Sequence, residues 1–244
     1  MIAEARGTRR GGSQGSCRAA ATWDTWRMTA PRCRIDHLVV TAPDLGRGVA
    51  YLSDLLGVPL QRGGEHALMA THNYLLRLGD AVFIEVIAPD PAAPRPARRR
   101  WFALDDLTPA TPPRLSAWVA GTGDVRAVVA AASEPVGDIT ALQRNALRWD
   151  ITIPPDGSVP LGGAAPMVIQ WHGGASAVDR LPDAGCALRG LRLCHPEAPR
   201  VAALLGSIGC DDPRIAVDPL PAGERPYLLA DIETPTGRTQ LGGP

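Results

Sequence analysis

A strand followed by an apolar-faced helix recurs three times along this chain, and that repetition limits the folds open to it more than any other feature. In the first copy, Ile35, His37 and Val39 alternate with Arg34, Asp36 and Leu38, so a strand would send the two sets to opposite faces. A helix is expected from Asp44 to Leu56, with Leu45, Val49, Leu52 and Leu56 on one face and Gly57 as its stop. Three short strands should follow near 66–70, 73–78 and 82–87, the last two joined by a Gly79-Asp80 turn.

The second copy starts at Leu115 and has its helix at Asp124–Ser133, Asp124 standing 80 residues after Asp44. Its strands are expected near 137–144, 147–153 and 167–171. The third starts at Leu188. Its helix follows His195-Pro196-Glu197, with Pro196 in the first turn, Val201, Leu204, Leu205 and Ile208 on the apolar face and Gly209 as the stop. Its strands are expected near 214–218, 227–233 and 238–241. One such unit is too small to bury a sheet face by itself. Two can curl their sheets into a half-open barrel around a concave pocket.

The segments between the copies differ in composition. Residues 1–30 are poor in large aliphatics and rich in Arg, Gly and Ser, which reads as a disordered tail or as sequence ahead of a start at Met28. The first module then spans 31–91. Residues 92–113 hold Pro94, Pro96, Pro109, Pro112, Pro113 and the run Arg98-Arg99-Arg100, and read as a surface connection or lid. The second module spans 114–175 and a third, smaller one 176–244.

Composition narrows the function. Of 244 residues 45 % are hydrophobic, enough for one sizeable core or two small ones, and the formal net charge is zero. That balance argues against nucleic acid as the main partner. No apolar run reaches membrane-spanning length, so no membrane partner is expected. Cys17, Cys33, Cys186, Cys194 and Cys210 have neither an even count nor metal-knuckle spacing, and reduced cytoplasmic thiols are the simplest reading.

Arg34-Ile-Asp-His-Leu-Val-Val40, the helix opening Pro43-Asp-Leu45, His72-Asn-Tyr-Leu-Leu-Arg-Leu-Gly79 and Ala81-Val-Phe-Ile-Glu-Val-Ile-Ala-Pro89 resemble the glyoxalase-like branch of the vicinal-oxygen-chelate superfamily. The resemblance is most specific over 34–91 and weaker to about 242. It implies an α+β fold of repeated β-α-β-β-β modules forming a half-open mixed-sheet barrel with the helices outside. It also implies a small carbonyl- or oxygen-bearing ligand in the cavity, with metal-assisted lyase, isomerase or dioxygenase chemistry. The alternative is a non-catalytic binding or sequestering protein of the resistance type. A homodimer is compatible with either.

Carried over position by position, the resemblance places candidate metal ligands at His37 and Glu85 on the first and last strands of the first module. The second module offers Ala117 at the place of His37 and Gln170 near its last-strand position; the third offers Gly190. His37, Glu85 and Gln170, with His172 and His72 as substitutes, could together hold one divalent ion (Zn, Fe, Mn or Ni); otherwise no cofactor is expected. Glu85, in an otherwise apolar strand, is the candidate general base. Asn73, Arg77 and Trp171 are the candidate substrate-binding residues, Arg77 through its bidentate fork. Against these stands the plainer reading of His37 as a hydrogen-bonded core histidine and of the tryptophans as wall.

Overall fold

A computed structural model of the chain describes residues 31–244. The tail expected over 1–30 lies outside the described residues. The order is β1 (Cys33–Thr41), α1 (Leu45–Leu56), β2 (Gln61–His66), β3 (Thr71–Arg77), β4 (Phe83–Pro89), β5 (Arg114–Thr122), α2 (Val125–Ala131), β6 (Asp138–Arg144), β7 (Leu147–Ile153), β8 (Met167–His172), β9 (Ala187–His195), α3 (Ala198–Ser207), β10 (Ile215–Pro219), β11 (Tyr227–Thr234) and β12 (Gly237–Gly242). Strand-helix-strand-strand-strand thus occurs three times.

The first two repeats share one eight-stranded sheet, ordered β2-β3-β4-β1-β5-β8-β7-β6. In each repeat the first strand runs parallel to the last, β1 to β4 and β5 to β8, and the repeats join through the antiparallel β1–β5 pair. Twist curls this sheet into a half-barrel, with α1 and α2 outside. The free edges approach one another, and Arg144 on β6 reaches His66 on β2. The third repeat forms its own sheet, β10-β9-β11-β12. Its Leu188, Leu191, Leu193, Leu228, Ala230 and Ile232 join Leu38, Val40 and Trp118 in one buried cluster on the outer side of the large sheet.

Helix boundaries follow the capping chemistry. Asp44 caps α1 by accepting from the N–H of Arg47, and Gly57 closes it in the left-handed conformation. Asp124 caps α2 in the same way through Ala127. Pro199, rather than Pro196, occupies the first turn of α3. The strand expected near 66–70 lies earlier, at Gln61–His66. Residues 67–70 instead turn the chain, Met69 and Ala70 donating back to His66 and Ala67. The pairing of β2 with β3 imposed strand geometry on Arg62-Gly63-Gly64, which has little strand propensity of its own.

Two further differences bear on function. Alternation along β1 breaks at Asp36, where the pairing with β5 skips one residue between Ile35 and His37. Ile35 therefore packs outward with Leu38 and Val40, while His37 and Val39 face the concave side. The 92–113 connection is also not only surface. Phe102 and Ala103, both at positive φ (55° and 53°), reverse the chain and leave Trp101, Phe102 and Leu104 buried against the concave face.

Candidate functional site

The concave side of the half-barrel holds an open pocket with about 390 Å³ of free space, the solvent at its mouth included. β1 contributes His37, β3 Asn73 and Leu75, and β4 Phe83 and Glu85. From the second repeat come Arg144 of β6, Trp149 and Ile151 of β7, and Ile169 and Trp171 of β8. Two segments outside the repeats complete the wall: Trp101 and Phe102 from the connection, and Ala177 from the stretch leading to β9.

His37 is the most constrained group. Its ring stacks on Phe83 at 4.4 Å between centroids and 16° between planes. Its Nδ1 stands 2.6 Å from Asp36 Oδ1, and Asp36 Oδ2 accepts from the indole N–H of Trp171 at 2.9 Å. The bulge allows this, because it turns two consecutive side chains toward the same region. A β-carbon on Gly121 would stand 3.1 Å from Asp36 Oδ2, so the small residue there makes room for the carboxylate. With Asp36 ionised, Nδ1 carries the proton toward it and Nε2 points to Glu85. His37 Nε2 and Glu85 Oε1 are 3.7 Å apart. That exceeds a hydrogen bond and leaves both atoms open to a third party.

A second polar chain continues from Glu85. Asn73 donates to Glu85 Oε2 at 2.7 Å, and its carbonyl oxygen accepts from Arg144 at 3.2 Å. The same Arg144 Nη1 lies 3.1 Å from His66 Nε2. Arginine can only donate, so His66 Nε2 accepts, and Nδ1 carries the hydrogen toward Thr71 Oγ1 at 3.2 Å. Burial, reinforced by Arg144, lowers the pKa of His66 to about 3, so its ring is neutral. Burial also lowers the Arg144 pKa, while Glu85 and Glu65 oppose the shift. His66 and Arg144 escaped the sequence reading because neither lies at a position the resemblance marks. Only the closing of the β2 and β6 edges brings them together.

The remaining expected residues fall elsewhere. Gln170 has the opposite parity to Ile169 and Trp171, and its Oε1 accepts from Val125 N at the start of α2. It caps a helix on the outer face and cannot join His37 and Glu85. His172 lies 3.3 Å from Asp150, and His72 4.0 Å from Asp90; neither lines the cavity. Arg77 spends its guanidinium on the carbonyls of Gly79, Asp80 and Leu181, tying the segment after β8 to the β3–β4 hairpin. It positions wall rather than ligand. Trp171 is wall and also holds Asp36.

The donor set does not suit a divalent ion. A catalytic metal needs about three protein ligands. On the strands facing His37 and Glu85, the second repeat presents Ala117 and Ile169. Among the described residues no group of three or more His, Cys, Asp or Glu is placed to hold a metal.

Comparison with solved structures finds a hypothetical protein from Staphylococcus aureus at 13 % identity and TM-score 0.50, covering 86 % of this chain and 84 % of that one. A variant of Streptomyces coelicolor methylmalonyl-CoA epimerase in complex with 2-nitronate-propionyl-CoA aligns at 16 % identity and TM-score 0.40, over 61 % of this chain and 99 % of that one. A mutant of 4-hydroxymandelate synthase from Streptomyces coelicolor aligns at 15 % identity and TM-score 0.42, over 87 % and 63 %. No curated protein matches. The glyoxalase-like domain family matches residues 35–209, a span that includes both repeats of the half-barrel and every residue lining its cavity. The chain belongs to the glyoxalase-like domain family.

Proposed function

We propose that this chain binds a small oxygen-bearing molecule in the half-barrel cavity and moves a proton on it, a lyase- or isomerase-type step at a carbon next to a carbonyl. The observation that carries this reading is the 3.7 Å separation of His37 Nε2 and Glu85 Oε1 inside a mainly aromatic and aliphatic enclosure. Glu85 Oε1 is the base. Its other oxygen is held by Asn73, which fixes the carboxylate's direction. His37, oriented by Asp36, is the second proton-handling group beside the reacting carbon. The surrounding Phe83, Trp149 and Trp171 exclude water and strengthen both interactions.

The test is proton exchange in D2O. Small 2-oxo acids and 1,3-dicarbonyl compounds are incubated with the protein, and loss of the carbon-bound proton signal is followed by NMR. Glu85→Gln and His37→Gln should each slow exchange by about 10²- to 10⁴-fold. Exchange that is unchanged in Glu85→Gln would remove that residue from the chemistry.

A binding or sequestering role is the second reading. It is favoured by the second repeat, which offers Ala117 and Ile169 where an active partner would be expected. Saturable binding without any exchange across the panel would support it.

A further inference from the structure

We infer that the cavity ligand carries a carboxylate and that this group docks on Arg144, at the end of the cavity away from His37. The inference rests on the cavity being the binding site and goes on to name the ligand class.

The guanidinium of Arg144 lines the cavity and is half-buried. Among the described residues no carboxylate lies within ion-pair distance of it. Nη1 makes both of its contacts to neutral groups, His66 Nε2 and Asn73 Oδ1. Neither Nε nor Nη2 bonds to a described residue. A desolvated cation without a counter-charge is costly, and arginine's planar fork matches a carboxylate bidentately. Glu85 does not fill that role, because the Asn73 amide stands between the two groups, accepting from one and donating to the other.

The wall holds a second unused donor. Trp101, which packs edge-on against His66 at 5.0 Å, has its indole N–H buried without an acceptor. Neutral His66 works as a positioning residue. It can accept from Arg144 only while unprotonated, and burial keeps it so. The guanidinium also lies 6.0 Å from the centroid of Trp149, which limits its swing. Charge count favours a carboxylate over a phosphate. One guanidinium offsets a single negative charge, and a dianion would add repulsion from Glu85 and Asp36. Bound this way, an oxo acid would present its carbonyl end toward His37 and Glu85.

The experiment follows the tryptophan indole signals of the full chain in ¹H–¹⁵N spectra. Benzoate, phenylacetate and 2-oxo-3-phenylpropanoate are titrated against their primary amides, with inorganic phosphate and sulfate as separate arms. The acids should shift the indole signals saturably, and each amide should bind roughly ten- to a hundredfold more weakly. Arg144→Gln should weaken the acids by the same factor, leave the amides unchanged and keep the native indole dispersion. Arg144→Lys should restore part of the loss. Acids and amides binding alike in the wild-type protein would overturn the inference without reference to any variant. So would undiminished acid binding in Arg144→Gln, absence of saturable binding by every acid, or phosphate binding more tightly than the acids. Acid-selective binding without proton exchange leaves the carboxylate site standing and removes the proposed chemistry. Exchange on neutral dicarbonyls with no preference for acids does the reverse.

Discussion

His37 Nδ1 lies 2.6 Å from Oδ1 of Asp36, the residue immediately before it. Neighbours on a regular strand point to opposite faces, so this pair exists only because β1 carries a bulge at Asp36. The same carboxylate holds Trp171 from β8, so one side chain orients both the imidazole and a wall of the cavity.

Removing that carboxylate should therefore cost more than a surface substitution. Asp36→Ala leaves the Trp171 indole N–H and the His37 Nδ1–H unpaired in a buried setting. Unfolding by urea should show a loss of about 2–5 kcal/mol. Asp36→Asn keeps an acceptor for one of the two and should lose less. Equal stability of Asp36→Ala and wild type would show that the two donors find water instead.

His66 gives stability a signature in acid. Its folded pKa of about 3 lies below the ordinary 6.5, chiefly through burial. Between these values the unfolded chain binds a proton that the folded chain refuses, so stability falls as pH drops through that window. Well above the ordinary value of 6.5 the ring is neutral in both states and the effect vanishes. The slope from this group approaches about 1.4 kcal/mol per pH unit at its steepest. Denaturant titrations of wild type and His66→Gln between pH 4 and 7 should differ in slope by about one proton; parallel curves would show that His66 titrates normally.

Gly48 lies inside α1, where alanine would raise helix propensity by about 1 kcal/mol. Packing reverses the sign. A β-carbon there would stand 2.5 Å from Val86 Cγ1 and 2.8 Å from Ala42 Cβ, with the helix pressed against β4. Gly48→Ala should lower stability by about 1–3 kcal/mol. A raised melting temperature would mean that α1 can lift off the sheet without cost.

The cysteines should be silent in the folded protein. Cys33, Cys186, Cys194 and Cys210 are all free and buried. Burial pushes the Cys33 thiol up to about 11 and that of Cys210 to about 12, far from the thiolate that reacts. In a Cys17→Ser variant, a thiol reagent at neutral pH should label none of the four until denaturant is added. Rapid labelling of the native protein would indicate local opening where the backbone of Cys33 pairs with that of Cys210, between β1 and the end of α3.

The sequence by itself determined the repeat. Hydrophobic periodicity, Asp44 and Asp124 at the helix starts and Gly57 as a stop are local signals, and the strand-helix-strand-strand-strand register follows from them. His37, Glu85 and Asn73 were legible for the same reason, since strand parity and family position both act within one module. Tertiary structure alone decided the rest. The bulge at Asp36 is a property of the β1–β5 pairing, so parity counted along β1 placed Ile35 on the wrong face. Gln170 turned outward because α2 needed a partner for the N–H of Val125, a demand that its own strand does not show. Arg144 and His66 lie 78 residues apart and meet only when the two edges of the sheet close. Trp101 entered the cavity from a segment whose prolines and arginines read as surface. Local pattern fixes which face a side chain takes on its own element; which side chains then share one buried space depends on how elements distant in sequence pair, and periodicity carries no record of that.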